Sequence, residues 1–381
     1  MEFSASSGRV MDVEQLLGEL IALPSVNPAF LPAGDSRGGE WRVADFLASA
    51  AAREGLAVEF QEVLPGRRNV IVRRLSTGKT RQRVLLAPHM DTVGSAAMPD
   101  AHFVPRVKNG RMYGRGACDT KGSIAAMFTA LVSTEARAET ELVFVGLIDE
   151  ENAQEGSRAL AAAKFQADLA IVGEPTQLRP IMAHKGDMWL KLVTRGKAAH
   201  GARPELGVNA VHEMAKIIHL LETRYARELR KNEHPMLGHP TINVGSARGG
   251  TQPNIVPAQC EIEVDRRTIP GEKDAAVRRE IVKFIRDAGL KAQLINAKHN
   301  DCLPMETDLT LPLVRQFVTL AGRPGGADFF CDASILSAAG IPSVVFGPGN
   351  IAQAHTADEW IALASLRGAA QMLARFLRSL P

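Results

Sequence analysis

Five residues of metal-binding type follow apolar or glycine-rich runs of the sequence. They are His89, Asp119, Glu151, Glu174 and His355. Two imidazoles and three carboxylates supply the nitrogen and oxygen donors that suit a pair of divalent cations. Loops at the ends of strands often build binding sites. Together with Glu150, these residues predict a two-metal hydrolase.

The first pair of polar residues is His89 and Asp91, which follow the apolar run 84–87. In an extended backbone, residues two apart face the same way. His89 can then bind metal through one ring nitrogen while Asp91 accepts a hydrogen bond from the N–H of the other. This contact fixes the tautomer of His89 and raises its basicity as a ligand. Taken alone, a His-x-Asp pattern is also typical of an ordinary exposed strand end.

Asp119 lies in a glycine-rich turn, 114–122, just before a predicted helix at 123–134. A carboxylate has two oxygens and can bridge two cations about 3.5–4 Å apart, the spacing of two-metal hydrolases. The alternative is a helix N-cap, a position that aspartate often fills. The residue type and the turn leave both interpretations open.

Glu150 and Glu151 are adjacent and follow the apolar run 142–148. Burying neighbouring carboxylates is unfavourable unless cations or protons compensate their charge. One division of labour is that Glu151 binds metal while Glu150 stays free as a base. The alternative is a solvated acidic loop.

The last two candidates are Glu174 and His355. Glu174 ends a predicted strand at 169–172, and Pro175 favours an extended backbone at the residue before it. His355 follows the glycine-rich segment 347–349. Glu174 alone is typical of a ligand position and also of a surface residue, and a lone loop histidine such as His355 is more often structural or exposed than a ligand. It is the joint occurrence of all five that favours a site.

The order of predicted elements divides the chain into two parts. Helices and strands alternate up to residue 172 and again after 311, which predicts an α/β three-layer sandwich with a mostly parallel sheet. From about residue 185 the order becomes βαββαβ, which predicts an inserted α+β ferredoxin-like domain. We therefore expect a discontinuous metal-binding catalytic domain at 1–184 and 298–381, and an insert at 185–297.

Composition limits the partners and the compartment. The net charge is only +3 and the basic residues are scattered, which argues against nucleic acid. Four distant cysteines contain no Cys-x-x-Cys pair, so a thiolate zinc site is not expected, and they suit a reducing cytoplasm. Cys118 beside Asp119 could be a nucleophile, but a small buried thiol is the favoured interpretation. Segment 1–10 lacks a signal-peptide pattern, and no apolar stretch is long enough to span a membrane.

With these residues in view, the chain resembles the M20 family of metallopeptidases and amidohydrolases. Within it, the resemblance is to the branch of acetylornithine deacetylases and succinyl-diaminopimelate desuccinylases. It extends from about residue 11 to 380 and depends on motifs that occur in the family's order: His89-Met90-Asp91-Thr92-Val93, Gly114 to Gly122, Asp149-Glu150-Glu151, Gly173-Glu174-Pro175-Thr176, and His355 before Asp358-Glu359.

The resemblance implies a role for each candidate. One metal would be held by His89 and Glu174 and the other by Glu151 and His355, with Asp119 bridging. Glu150 would be the general base and acid, and Asp91 would support His89. The peptide bond after Asp119 is expected to be cis, as in relatives. Zinc is the first expectation for the metals, with cobalt or manganese as alternatives.

The resemblance also implies that the insert is a lid or dimerisation domain, and hence a homodimer. His200 matches a histidine that stabilises the tetrahedral intermediate, in some relatives from the partner subunit. Asn254 and Arg267 match positions that hold the substrate carboxylate. Arginine suits that role because its planar fork pairs with a carboxylate through two hydrogen bonds.

The implied reaction is hydrolysis of the amide of an N-acyl amino acid, with N-acetylornithine as the first candidate. A water bridging the two cations would attack the carbonyl, and Glu150 would carry the proton. Phe329, Phe330 and Cys331 stand where desuccinylase-like members have small hydroxyl residues. A desuccinylase, an aminoacylase and a dipeptidase remain alternatives. An inactive M20-like binding protein is disfavoured because Glu150 and every ligand position are present.

Overall fold

The computed structural model describes residues 12–297 and 302–381. Segment 1–10, where the sequence lacks a signal-peptide pattern, lies outside the described residues. So does residue 298, where the second piece of the catalytic domain is predicted to begin. The chain forms two compact units: the first runs to Met182 and includes Thr307–Gly325 and Cys331–Pro381, and the second comprises Ala183–Glu306 and Gly326–Phe330. Compared with the predicted insert at 185–297, the second unit begins at Ala183, extends to Glu306 and takes in the short segment Gly326–Phe330.

The helices and strands of the described residues are as follows. The α-helices are α1 Val13–Ile21, α2 Trp41–Arg53, α3 Lys121–Val132, α4 Glu155–Ala162, α5 Ala210–Leu220, α6 Ala226–Leu229, α7 Asp274–Asp287, α8 Pro312–Ala321, α9 Ala333–Ala338 and α10 Leu363–Arg378. The strands are β1 Ala57–Leu64, β2 Arg67–Arg74, β3 Gln82–Pro88, β4 Arg106–Lys108, β5 Arg111–Tyr113, β6 Thr140–Gly146, β7 Leu169–Gly173, β8 Ile181–His184, β9 Gly186–Arg195, β10 Thr241–Gly249, β11 Gln259–Thr268, β12 Gln293–Asn296, β13 Met305–Glu306, β14 Gly325–Ala327, β15 Ser343–Val345 and β16 Trp360–Ala362.

The first unit is built on a sheet with the strand order β1-β2-β6-β3-β7-β15, followed by β8. Strand β3 pairs in parallel with β6 and with β7, and β7 pairs in parallel with β15. The other pairs, β1 with β2, β2 with β6 and β15 with β8, are antiparallel. The sheet is therefore parallel at its centre and antiparallel towards both edges, where the sequence predicted a mostly parallel sheet.

Helices cover both faces of this sheet and complete the three-layer sandwich, which confirms the predicted fold class. Helices α1, α3, α8 and α10 pack together in one layer, while α2, α4 and α9 lie in the other. Helix α3 is buried on nearly every side, from Gly122 to Leu131, as expected for a helix that is apolar all round. Among the described residues, no helix combines the length and the apolar character needed to cross a membrane.

A separate three-stranded sheet of order β16-β5-β4 was not predicted from the sequence. Each of its strands has only three residues, too few to show an alternating pattern. It joins the segment just before the Asp119 turn to the segment just after His355, because Trp360 pairs with Tyr113. This sheet therefore brings together two parts of the chain that are distant in sequence.

The second unit has the predicted βαββαβ order, formed by β9, α5, β10, β11, α7 and β12. Its antiparallel sheet has the order β10-β11-β9-β12, which is the ferredoxin-like arrangement. Asn209 caps α5 by accepting hydrogen bonds from the N–H groups of Val211 and His212. Apolar residues of α5 and α7, such as Met214 and Ile281, pack against the sheet and form the core of this unit.

Candidate metal centre and active site

Three parallel neighbours, β6, β3 and β7, bring the candidate residues to one edge of the first unit. His89 directly follows β3, Glu174 directly follows β7, and Glu150 and Glu151 follow β6 after a short buried segment. Parallel strands end at the same edge of a sheet, where α/β proteins place their ligands. The alternation of strands and helices in the sequence is therefore what assembles these side chains.

The first half of the cluster consists of His89, Asp119 and Glu174. The His89 Nε2 atom lies 3.2 Å from Asp119 Oδ1 and 3.8 Å from Glu174 Oε1. All three residues are less than 10% exposed. A histidine nitrogen facing two carboxylate oxygens is an arrangement that can hold one cation.

The second half consists of Asp119, Glu151 and His355. The His355 Nε2 atom lies 3.1 Å from Glu151 Oε2 and 3.4 Å from Asp119 Oδ2. Donor atoms of His89, Asp119 and Glu151 all lie within 4.8 Å of one another. The two oxygens of Asp119 thus face different imidazoles, His89 on one side and His355 on the other.

Asp91 is fully buried beneath the cluster and holds it in three ways. Its Oδ1 and Oδ2 accept hydrogen bonds from the backbone N–H groups of Glu150 and Glu151, each at 3.1 Å. The His89 Nδ1 atom lies 3.0 Å from the backbone oxygen of Asp91 and 3.3 Å from its Oδ1. Asp91 therefore lies where it can fix the ring of His89, and it also holds the turn that carries both glutamates, which the sequence did not indicate.

A buried polar network that sequence reasoning missed supports Asp91. The Asn27 Nδ2 atom donates to Asp91 Oδ2 at 2.7 Å and to Asp149 Oδ1 at 2.9 Å. Arg67 forms ion pairs with Asp149 at 2.9 Å and with Glu40 at 2.5 Å. Asn27 and Arg67 lie 122 and 82 positions from Asp149, so no local spacing in the sequence could reveal these contacts.

Burial and crowding perturb the acid–base chemistry of the cluster. Loss of solvent, together with the nearby Asp119 carboxylate, raises the pKa of Glu151 to about 7. Loss of solvent also raises the pKa of Glu174 and of Glu150 well above the usual range, and nearby carboxylates add to both effects. Hydrogen bonds to Asp119 and Glu151 raise the pKa of His355 to about 10. Displaced values of this kind are typical of functional sites.

The donor set fits two divalent cations. It contains only imidazole nitrogens and carboxylate oxygens, which are ligands for zinc, cobalt or manganese. The Glu151 Oε1 atom is buried and has no hydrogen-bond partner. Several buried carboxylates this close together repel one another, and positive charge between them removes that repulsion. Two pairs of potential donors, His89 with Glu174 and His355 with Glu151, lie on either side of Asp119.

Two further features lie close to the cluster. Asp332, at the start of α9, accepts a hydrogen bond from Ser157 Oγ at 2.6 Å, while its Oδ2 is buried without a partner; burial raises the pKa of Asp332 to about 7. Cys118 is fully buried, and burial raises the pKa of its thiol. These properties favour the interpretation of Cys118 as an inert buried thiol rather than a nucleophile.

The remaining predicted residues lie in the second unit. His200 and Asn254 are on adjacent loops, where Gly201 N donates to Asn254 O at 2.7 Å. Arg267 is at the end of β11, and its Nε and Nη2 atoms pair with the two carboxylate oxygens of Asp265 at 2.8 and 3.0 Å. The structure thus brings His200 and Asn254 together, and it places the fork of Arg267 on an acidic neighbour.

The structure also has a cis peptide bond between Asp119 and Thr120, as the resemblance implied. A family model described as peptidase family M20/M25/M40 matches residues 85–379, which include every metal-ligand candidate. The chain belongs to this family. The predicted M20 membership is confirmed, and the protein is an amidohydrolase of the M20 type.

Several curated M20 proteins are similar to this chain. An acetylornithine deacetylase of Vibrio cholerae is 28% identical over 347 residues, which cover 88% of this chain and 90% of the relative. An acetylornithine deacetylase of Myxococcus xanthus is 31% identical over 347 residues and 87% of this chain. The similarity thus extends over most of each chain rather than over one motif.

Solved M20 structures share the fold at lower identity. Aminopeptidase PepT from Bacillus cereus has a TM-score of 0.77 and 21% identity and covers 97% of this chain and 99% of its own. The Bacillus subtilis YXEP protein, a dinuclear metal-binding peptidase of the M20 family, has a TM-score of 0.69 and 15% identity, covering 96% of each chain. At these identities, the comparison establishes the fold.

Metal binding to the metal-free M20 protein is expected to release more than one proton per chain at pH 7, because burial raises the pKa of Glu174 and nearby carboxylates raise that of His89 as well. His355, with its pKa raised to about 10, then carries a proton, and Glu151, with a pKa of about 7, is half protonated. Both must deprotonate to act as ligands. Calorimetry in two buffers with different ionisation enthalpies measures the release, which should decrease as the pH rises from 6 to 9 while the affinity increases. An affinity and proton release that do not change with pH would contradict this arrangement.

Proposed function

We propose that this M20 amidohydrolase removes the acyl group from an N-acyl amino acid, with N-acetylornithine as the first substrate. Two divalent cations would be its cofactors, with zinc preferred and cobalt or manganese as alternatives. The similarity to acetylornithine deacetylases over most of both chains supports this choice of substrate. The alternatives within the family are a succinyl-diaminopimelate desuccinylase, an aminoacylase and a dipeptidase.

One observation carries the proposal: the two oxygens of Asp119 face two separate imidazoles, each accompanied by a glutamate. A single structural metal needs only one such group of donors, whereas a bridging carboxylate is suited to a pair of cations acting on one substrate. The donors are held from below by Asp91, so the site is preorganised. Such preorganisation is what hydrolysis of a stable amide requires.

Divalent cations held by His89, Glu174, Asp119, Glu151 and His355 would supply a lowered pKa for water and polarisation of the amide carbonyl. Glu150 is the group that takes the proton from the attacking water and returns it to the leaving amine. Its backbone N–H is fixed by Asp91. Burial raises the pKa of Glu150 above the usual range of a glutamate, which favours the uptake of a proton by this side chain. Glu150 and Asp91 therefore act as the base and as its positioning residue.

The second unit would supply substrate contacts. The His200 Nδ1 atom accepts a hydrogen bond from Ala202 N at 3.0 Å. In a neutral ring, Nε2 then carries the proton and can donate to a developing oxyanion. Asn254 is exposed beside His200. Arg267 would bind the substrate carboxylate while sharing its guanidinium with Asp265.

A homodimer formed through the second unit is part of the proposal. The loops around His200 carry exposed apolar side chains: Leu206 and Val208 are each 51% exposed and Ile255 is 39% exposed. Apolar side chains grouped at a loop tip are typical of a surface that another chain covers. We also propose a cytoplasmic location, which four buried free cysteines support. Light scattering of the purified protein measures the mass in solution, and a monomer would contradict the dimer.

The proposed function is tested by measuring hydrolysis of four substrates by the purified protein. These are N-acetylornithine, N-succinyl-diaminopimelate, N-acetylmethionine and a dipeptide. Each is measured with added zinc or cobalt and with a chelator. We expect the highest kcat/KM for N-acetylornithine and loss of turnover with the chelator.

The outcomes separate the parts of the proposal. Turnover of another panel member above N-acetylornithine would keep the hydrolytic mechanism and correct the substrate. Turnover that persists in the chelator would contradict the metal-dependent mechanism. No turnover of any panel member, with two metals bound per chain, would reject the N-acyl amino acids tested.

A further inference from the structure

Glu359 lies four residues after His355, and the roles described so far do not include it. It is only 3% exposed, and its carboxylate accepts four hydrogen bonds. Oε1 accepts from the backbone N–H groups of Cys118 and Asp119 at 2.8 and 2.9 Å. Oε2 accepts from Gly116 N and Arg115 Nη1, both at 2.8 Å. Both oxygens of this buried carboxylate are thus fully engaged.

The four donors all come from one turn, residues 115–119, which ends at Asp119. One of them is the backbone N–H of Asp119 itself. The backbone oxygen of Glu359 also accepts from Gly114 N at 3.1 Å. Hydrogen bonds from N–H groups to a carboxylate are about twice as strong as neutral ones, so this turn is held firmly against Glu359.

The same contacts fix the segment that carries His355. Arg115 uses its second terminal nitrogen, Nη2, to donate to the backbone oxygen of Thr356 at 3.0 Å. Glu359 is followed directly by β16, which pairs with β5 just before the Asp119 turn. The Asp119 turn and the His355 segment, about 240 positions apart in sequence, are therefore joined through one carboxylate.

We propose that Glu359 is a positioning residue for the metal pair: it sets where Asp119 lies relative to His355 and so determines the geometry of the half of the cluster formed by Asp119, Glu151 and His355. This inference rests on the proposed two-metal function. Outer partners of metal ligands generally fix ligand orientation and tune affinity. Glu359 accepts a hydrogen bond from the backbone of Asp119 and, through Arg115, is joined to the segment that carries His355. It therefore contacts the backbone around two ligand candidates rather than the side chain of one.

The role requires a carboxylate rather than a side chain of similar size. A carboxylate can accept at both oxygens, whereas a glutamine side chain has one oxygen and one NH2 group that only donates. In a Glu359→Gln variant, the NH2 group must face either the Cys118 and Asp119 N–H groups or those of Arg115 and Gly116. One half of the turn then loses its acceptor, whichever way the amide lies.

The test is a cobalt titration of the metal-free protein, followed by visible absorption, for the wild type and three variants. Glu359→Gln is expected to weaken cobalt binding by about 10- to 100-fold and to shift the absorption bands. Glu359→Asp keeps both acceptors but on a shorter side chain. It should therefore bind cobalt more tightly than Glu359→Gln and more weakly than the wild type. The matched control is Glu141→Gln, which removes another buried carboxylate, paired with Arg73 and Arg83 at the opposite end of β6.

The outcomes separate the positioning role of Glu359 from the existence of the metal site. Wild-type affinity and bands in Glu359→Gln would overturn the positioning role while leaving the metal site intact. Equal losses in Glu359→Gln and Glu141→Gln would also overturn it, because the effect would then be one of general stability. If Glu359→Gln does not fold, Glu359→Asp decides alone: a spectrum like that of the wild type would overturn the inference. No cobalt binding by the wild type would instead reject the proposed metal site.

Discussion

Replacing Glu150 with glutamine is expected to lower kcat by about 10²- to 10⁴-fold, the contribution usual for general acid–base catalysis. Glutamine preserves the size of the side chain but cannot take up and return a proton. Neighbouring acids cannot replace it, because Glu151 and Glu174 face His355 and His89 and are proposed to hold metal. Steady-state hydrolysis of N-acetylornithine measures the effect.

The metal content of Glu150→Gln should equal that of the wild type, because Glu150 is not among the proposed ligands. Glu54→Gln, which alters an exposed glutamate at the end of α2, is the control and should keep normal activity. If Glu150→Gln keeps activity within about tenfold of the wild type, another group carries the proton. A loss of bound metal in Glu150→Gln would instead indicate that Glu150 is a ligand.

Replacing Asp119 with asparagine is expected to reduce metal affinity by more than the 10- to 100-fold that is usual for an outer partner of a ligand. Asp119 faces both imidazoles, so its charge and both oxygens serve both proposed metal positions. Asparagine keeps one acceptor oxygen, and its NH2 group would point at the other cation. Metal content after dialysis and residual hydrolysis measure the change.

The change in metal affinity of Asp119→Asn is interpreted by comparison with that of Asp91→Asn. Asp91 touches His89 and the backbone of Glu150 and Glu151 without facing His355. Replacing it should therefore reduce metal affinity by no more than the 10- to 100-fold that is usual for an outer partner of a ligand. The remote control is Asp168→Asn, which removes a carboxylate that accepts from Arg83 N, far from the strand ends that carry the site. Equal affinity in Asp119→Asn and the wild type would show that Asp119 does not bridge.

The clustering of three of the candidate ligands could be predicted from the sequence because these residues follow strands that the apolar runs reveal. His89, Glu151 and Glu174 follow β3, β6 and β7, and parallel neighbours end at a common edge. The ferredoxin-like second unit was also predictable, because its helices and strands are long and regularly patterned. Its first helix, α5, begins at Ala210 and passes into a π-helix at Leu221–Tyr225.

The supporting contacts could not be predicted, because they join residues that are far apart in sequence. Asn27, Arg67 and Glu359 are polar residues of ordinary type, and only the fold shows that they are buried against the site. The short strands β4, β5 and β16 lack a repeat long enough to recognise. The antiparallel edges of the main sheet depend on how β1 and β2 pair with β6, which apolar content alone does not specify.

The central claim is that hydrolysis depends on two cations held on either side of Asp119. The most direct test is to add zinc or cobalt stepwise to the metal-free protein while measuring hydrolysis of N-acetylornithine and metal bound per chain. The account predicts no activity without metal and a rise that reaches its maximum at about two equivalents bound, the number expected for a two-metal site. Full activity in the metal-free protein, or a maximum reached with only one metal bound per chain, would contradict it.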